Sequence, residues 1–157
     1  MIAMTTTTYY FTAPATGKCV PIEASYDMDL SSGMLGNGVS ILATEGTVTA
    51  PFDCMVTAVS ATQHAVVILD TRRDIEMMLC AASDTDEEAV CTFHVQPGDI
   101  VKQGAQLFSC DVQRVRAKGG RVTFSCILTN LPAEDVNVMS GDVIGGKSHV
   151  MSCACVR

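Results

Sequence analysis

The stretch CMVTAVSATQHAVVILDTRRDIEMMLCA, residues 54–81, decides the fold class. It holds three apolar runs, at 54–60, 64–70 and 75–81, each cut off by a short polar turn. Runs of this length bounded by turn residues are strand signals. The same rhythm continues on both sides, in GTVTA 46–50, VCTFHV 90–95, QLFSCDV 106–112, RVTFSCILT 121–129 and HVMSCACV 149–156. Strand signals recurring every 8 to 12 residues or so predict an all-β chain, an antiparallel β-sandwich or squat barrel. Only DVQRVRAKG, residues 111–119, reads as a short helix of a turn or two, closed by Gly119-Gly120.

Two segments repeat one idea. VQPGDIVKQGAQLF 95–108 and VMSGDVIGGKSHVM 138–151 each place Gly-Asp-aliphatic after a short approach and return to a strand after a further glycine. Each asks for a tight turn in which glycine supplies positive φ and aspartate caps its own backbone. A looser third version is MLGNGVSIL 34–42. Such duplication predicts two interlocked similar halves.

The bulk numbers agree with one globular unit. At 157 residues, 48% of them hydrophobic, the chain is long enough to bury a core, and no composition shift marks a second domain. We expect residues 1–12 to be an N-terminal tail and 13–157 to be the domain. A net charge of -7, with four Lys and six Arg mostly scattered, argues against nucleic acid as a partner. The N-terminal residues lack a basic region followed by an apolar one, and no run reaches the ~18 apolar residues of a membrane span, so a cytoplasmic protein is expected. The eight cysteines sit in strand-like surroundings without C-x-x-C pairs, so most of them read as small buried hydrophobes, a secreted disulfide framework being the competing reading.

With these pieces in place the chain resembles the enzyme IIA domain of the glucose, N-acetylglucosamine and β-glucoside type, from the bacterial phosphoenolpyruvate-dependent sugar phosphotransferase system. The resemblance runs in order through TGKCVPIEA 16–24, LSSGMLGNGVSI 30–41, EGTVTAPFD 45–53, TQHAVVI 62–68, HVQPGDIVKQG 94–104 and ILTN 127–130, then the final Gly-Asp turn. It implies an antiparallel β-sandwich and, as partners, the phosphocarrier and permease proteins of that system. The resemblance also implies a phosphoryl-accepting histidine at the end of a strand of the type Ile75-Glu76-Met77-Met78-Leu79. Here that place belongs to Cys80, followed by Ala81-Ala82-Ser83-Asp84-Thr85, and no histidine occurs between His64 and His94. The second histidine of the family pair, in a Thr-x-His-Ala turn, is kept as His64, with Thr62 beside it. Compared with the family, the Asp70–Asp74 turn is one residue longer and the Asp84–His94 segment about two residues shorter.

Cys80, His64 and Thr62 are therefore the candidate catalytic residues, and Met34, Leu35, Val39 and Asp84 the candidate binding residues around a concave apolar face. Four readings follow. A phosphocarrier that has lost its nucleophile would keep the scaffold for binding partners or a ligand. A working cysteine acceptor would use His64 to favour the thiolate; against it, Asp84, Asp86, Glu87 and Glu88 would form a negative rim. A zinc site would use His64 and Cys80, which are competent ligands but too few without His94, Glu76 or a second subunit. Lastly, the fold could be reused by a homo-oligomer that sequesters a small molecule. Beside these stands the plain reading of Cys80 as a packed thiol, of His94 as structural, and of the nine methionines as core filler.

Overall fold

Alternation of apolar and small or polar residues is carried through into strands almost everywhere. The computed structural model describes residues 6–26, 35–85 and 90–156. In chain order the strands are β1 (Thr6–Thr12), β2 (Gly17–Pro21), β3 (Asn37–Ala43), β4 (Thr47–Thr49), β5 (Cys54–Ser60), β6 (Ala65–Asp70) and β7 (Ile75–Ser83). They continue as β8 (Cys91–Phe93), β9 (Ile100–Val101), β10 (Gln106–Cys110), β11 (Val122–Leu128), β12 (Val136–Val138), β13 (Gly141–Val143) and β14 (His149–Val156). The predicted short helix is α1 (Val112–Ala117), where the Asp111 carboxylate accepts a hydrogen bond from the Arg114 backbone N–H at 3.1 Å as N-cap.

Eight strands form one antiparallel sheet in the order β13-β2-β3-β11-β7-β6-β5-β9, and two smaller sheets, β1-β14-β12 and β4-β10-β8, complete the sandwich. The order is symmetric about the β11–β7 contact. Strands β1–β3 and β11–β14 make one half, and β4–β10 make the other, inserted between β3 and β11 in the chain. The two Gly-Asp turns supply matching pieces, because β9 and β13, which follow or contain them, are the two edge strands of the large sheet. Gly98 and Gly141 both have positive φ, 97° and 114°, as those turns require.

The core lies between the large sheet and the two small ones. Phe11 of β1, Phe108 of β10 and Phe124 of β11 meet there with Phe52, in edge-on ring pairs such as Phe11–Phe52 at 5.9 Å and Phe108–Phe124 at 6.0 Å. The expected tail is corrected here. Thr6–Thr12 pairs along β14 from Thr6 opposite Val156 to Thr12 opposite His149, and Phe11 is fully buried. A run of threonines followed by aromatic residues is a good strand former, so its polarity does not leave it unpaired.

Five of the described cysteines, Cys19, Cys54, Cys80, Cys126 and Cys153, are buried thiols not joined in a disulfide. Burial pushes the Cys19 and Cys54 thiols up to about 11. Cys91 and Cys110, opposite each other across the β8–β10 pair, are joined as a disulfide, one pair that the expectation of buried thiols did not include.

Two contacts fix the β3–β11–β7 strip. Gly38 lets β3 approach β11 closely: a Cβ there would stand 2.0 Å from the Cys126 carbonyl oxygen. At the end of β7, Asp84 accepts hydrogen bonds from the Arg121 backbone N–H at 2.6 Å and from its Nε at 3.2 Å, tying that end to the start of β11. The backbone N–H first, then the guanidinium, hold the Asp84 carboxyl below its ordinary value. Gly38→Ala should cost about 2 kcal/mol, because the alanine can fit only if the two strands separate; urea unfolding checks it, and a loss below ~0.5 kcal/mol would contradict the close approach. A carboxylate with a lowered folded pKa stabilises above its unfolded value, and that contribution is lost as pH falls through the folded one. Asp84→Asn should therefore lower stability at neutral pH by less than about 1 kcal/mol, with the difference shrinking as pH falls below the ordinary aspartate value of 3.8 and gone below the lowered folded value.

Candidate functional site

Side-chain parity along β7 assigns each residue to a face. Ile75, Met77, Leu79 and Ala81 belong to the main core, so Glu76, Met78, Cys80 and Ala82 face the other way, onto the outer side of the large sheet. Cys80 is 5% exposed and packs in a small separate cluster with Ile22, Ala65 and Ile127, flanked by Met78. The strand does not end at Cys80 but continues to Ser83, so the thiol sits within a ladder rather than at its mouth.

Four strands contribute to the row that crosses Cys80. Ser40 of β3 lies opposite Ser125 of β11, Ser125 opposite Cys80, and Cys80 opposite Ala65 of β6. His64 immediately precedes Ala65, at φ 52°, and its carbonyl accepts from the Ala81 N–H at 3.0 Å, which extends the β6–β7 ladder into the turn. The His64 Nδ1 is shut off from solvent. The sheet thus brings residues 64 and 80 to adjacent strands, despite the longer turn between Asp70 and Asp74.

Sequence reasoning missed the hydroxyls beside them. Ser40 Oγ and Ser125 Oγ share a hydrogen bond of 2.8 Å, and Ser125 Oγ donates to Ser25 Oγ at 3.3 Å, all three residues being buried. A signal was present. In GVSIL and RVTFSCILT a serine stands between core-facing aliphatic or aromatic residues, at the parity of the outer face. Buried hydroxyls satisfying one another give that face a polar strip next to the thiol.

The other predicted residues are dispersed. Thr62 lies in the exposed β5–β6 turn, its hydroxyl 3.3 Å from Ser60 Oγ. Leu35 is 45% exposed, while Met34 lies outside the described residues. Val39 is a correction: it is fully buried in the main core, because the outer-face parity of β3 belongs to Gly38, Ser40 and Leu42. Asp84 is held by Arg121, so it does not present an uncompensated charge, and Asp86, Glu87 and Glu88 lie outside the described residues.

The further zinc ligands considered within this chain, Glu76 and His94, stand apart from Cys80. Glu76 is on the face of Cys80 but two alternate positions away, about 13 Å along the strand, and its Oε1 accepts from Thr129 Oγ1 at 2.6 Å. His94 is on the other side of the sandwich, with Nε2 3.2 Å from Ser109 Oγ across the β8–β10 pair. Among the described residues no three His, Cys, Asp or Glu side chains group closely enough to hold a metal ion.

Comparison with known proteins accounts for this scaffold. Residues 9–133 match the family model of the phosphoenolpyruvate-dependent sugar phosphotransferase system, EIIA 1. A PTS system glucose-specific EIIA component from Oceanobacillus iheyensis is 30% identical over 143 residues, covering 88% of this chain and 86% of that protein. A PTS system beta-glucoside-specific EIIBCA component from Dickeya chrysanthemi is 32% identical over 120 residues, 75% of this chain but only 19% of that longer protein. Among solved structures, the glucose permease IIA from Mycoplasma capricolum matches with a TM-score of 0.78 over 93% of this chain and 96% of its own, at 23% identity, a likeness of fold. The chain belongs to the EIIA 1 family of the phosphoenolpyruvate-dependent sugar phosphotransferase system.

Proposed function

We propose that this chain is an EIIA-type protein whose phosphoryl-acceptor position is held by Cys80, and that it docks on the phosphocarrier or permease proteins of a sugar phosphotransferase system without relaying phosphate itself. The observation that carries this reading is the setting of Cys80. The residue is 5% exposed, packed with Ile22, Ala65 and Ile127 and opposite Ser125, at the position where the family resemblance implies the acceptor histidine. A neutral imidazole nitrogen is a nucleophile near pH 7, whereas a thiol must first ionise, and apolar burial opposes that. The docking surface of this reading lies on the outer side of the large sheet around the His64 turn, while the Ser40–Ser125–Cys80–Ala65 row itself is buried against Ile22 and Ser25. Such a protein works in the cytoplasm, competing for partners that an active relative would serve.

The nearness of His64 favours one rival, a Cys80 thiolate that accepts phosphate and passes it on. Incubation with phosphoenolpyruvate, enzyme I and the histidine phosphocarrier protein, read by intact mass, separates the two. The expected result is an unchanged mass. A phosphate adduct that disappears in Cys80→Ser would overturn the proposal in favour of the thiolate. Brief alkylation with iodoacetamide followed by peptide mapping tests the chemical premise directly. Cys80 should stay unmodified in the folded protein and react fully in urea; equal labelling in both states would contradict a protected thiol.

A further inference from the structure

Ten basic residues against seventeen acidic ones leave the chain at -7, yet three of the ten converge on one cavity. Lys18 of β2, Arg116 near the end of α1 and Arg121 just before β11 line a recess of about 420 Å³ where β2, β3 and β11 end. Leu42, Val122 and Val143 supply apolar wall, and Asp142 is the acidic side chain in the lining. The volume is that of a small-molecule site with mostly apolar walls and a few polar groups.

Arg121 has a structural partner in Asp84, but no side-chain partner draws Lys18 and Arg116 to the same recess. Lys18 and Arg116 make no ion pair or side-chain hydrogen bond among the described residues, although Asp142 stands opposite Lys18 in the β2–β13 register. Arg121 binds Asp84 through its backbone N–H and Nε, and its side chain stays 67% exposed. Like charges gathered at one place on an acidic protein repel one another, and a bound anion removes that cost. Guanidinium groups suit the head of such a ligand because their planar donors match carboxylate and phosphate oxygens.

The recess also has a defined place relative to Cys80. Lys18, Leu42, Thr123 and Ala82 form one register row, and the Ser40–Ser125–Cys80 row lies two residues along the same face, about 7 Å away. Thr123 is fully buried in the row of Lys18 and Leu42, and its Oγ1 has no hydrogen-bond partner among the described residues.

We infer that this cavity is a binding site for a small organic anion, a phosphate ester or carboxylate with an apolar body. Lys18, Arg116 and Arg121 receive the head, and Leu42, Val122 and Val143 receive the body. The site does not depend on whether Cys80 carries phosphate.

Calorimetric titration of the full chain with 1-naphthyl phosphate, 1-naphthoate and the neutral 1-naphthol tests it. At least one anion should bind saturably with one site per chain, and 1-naphthol should bind at least about tenfold more weakly. Binding of the ester alone assigns a phosphate head, and of the acid alone a carboxylate head. Lys18→Met and Arg116→Met, confirmed as folded by thermal melts, should each weaken binding roughly fivefold to tenfold, the range of one charge-assisted contact at a partly exposed site. Asp142→Asn should tighten it. Failure of both anions to bind, binding of 1-naphthol as tight as theirs, or wild-type affinity in the Lys18→Met/Arg116→Met double variant would overturn the inference.

Discussion

The pairing register of β7 against β6 and β11 is the constraint on which the site depends. Cys80 stands opposite Ala65 on one side and Ser125 on the other, so the thiol, the histidine turn and the buried serines share the outer face of the sheet. A slip of one residue would send Cys80 into the core and turn Leu79 outward, exchanging the two faces along the strand. Core packing forbids it, since Met77 and Leu79 fill the interior together with Phe124 and Ile68. The register is thus set by residues that never touch the site. Its location also matters: β7 and β11 form the contact at which the two interlocked halves of the fold meet.

Much of the architecture was legible because period-two alternation is a strong signal in half-buried strands. The runs at 54–60 and 64–70 became β5 and β6 within a residue of their expected limits, and 111–119 contains the helix. The strands that escaped notice were those whose chemistry imitates something else. The threonines of β1 look like a polar tail, and Gly17, Gly36 and Gly38 make β2 and β3 look like turns, although Gly17 and Gly38 serve close strand contacts. Short edge strands such as β9 and β13 carry too few residues to show a period at all.

The candidate site was readable in part for the same reason. Cys80 and His64 emerged because the flanking residues resemble a known pattern, and β6 and β7 place them on neighbouring strands. Val39 was assigned to the wrong face, since family likeness locates a segment while parity decides which side chains it shows. Ser40, Ser125 and Ser25 come from three distant segments, and their hydrogen bonds exist only once register is fixed. The cationic recess is likewise invisible in sequence, where Lys18 and Arg116 are two scattered charges.

On the proposed reading Cys80 puts sulfur where an EIIA scaffold would carry its attacking nitrogen, which separates what the fold supplies from what the nucleophile supplies. The fold supplies the outer sheet face, the His64 turn and a buried polar strip; on that reading residue 80 decides whether phosphate can rest there. Exchange of that residue asks the question most directly. Folded Cys80→His, incubated with phosphoenolpyruvate, enzyme I and the histidine phosphocarrier protein and mapped by mass spectrometry, should gain a phosphoryl group on residue 80. A folded variant that stays unphosphorylated, or that carries the group on another residue, would contradict the assignment of residue 80 as the acceptor position.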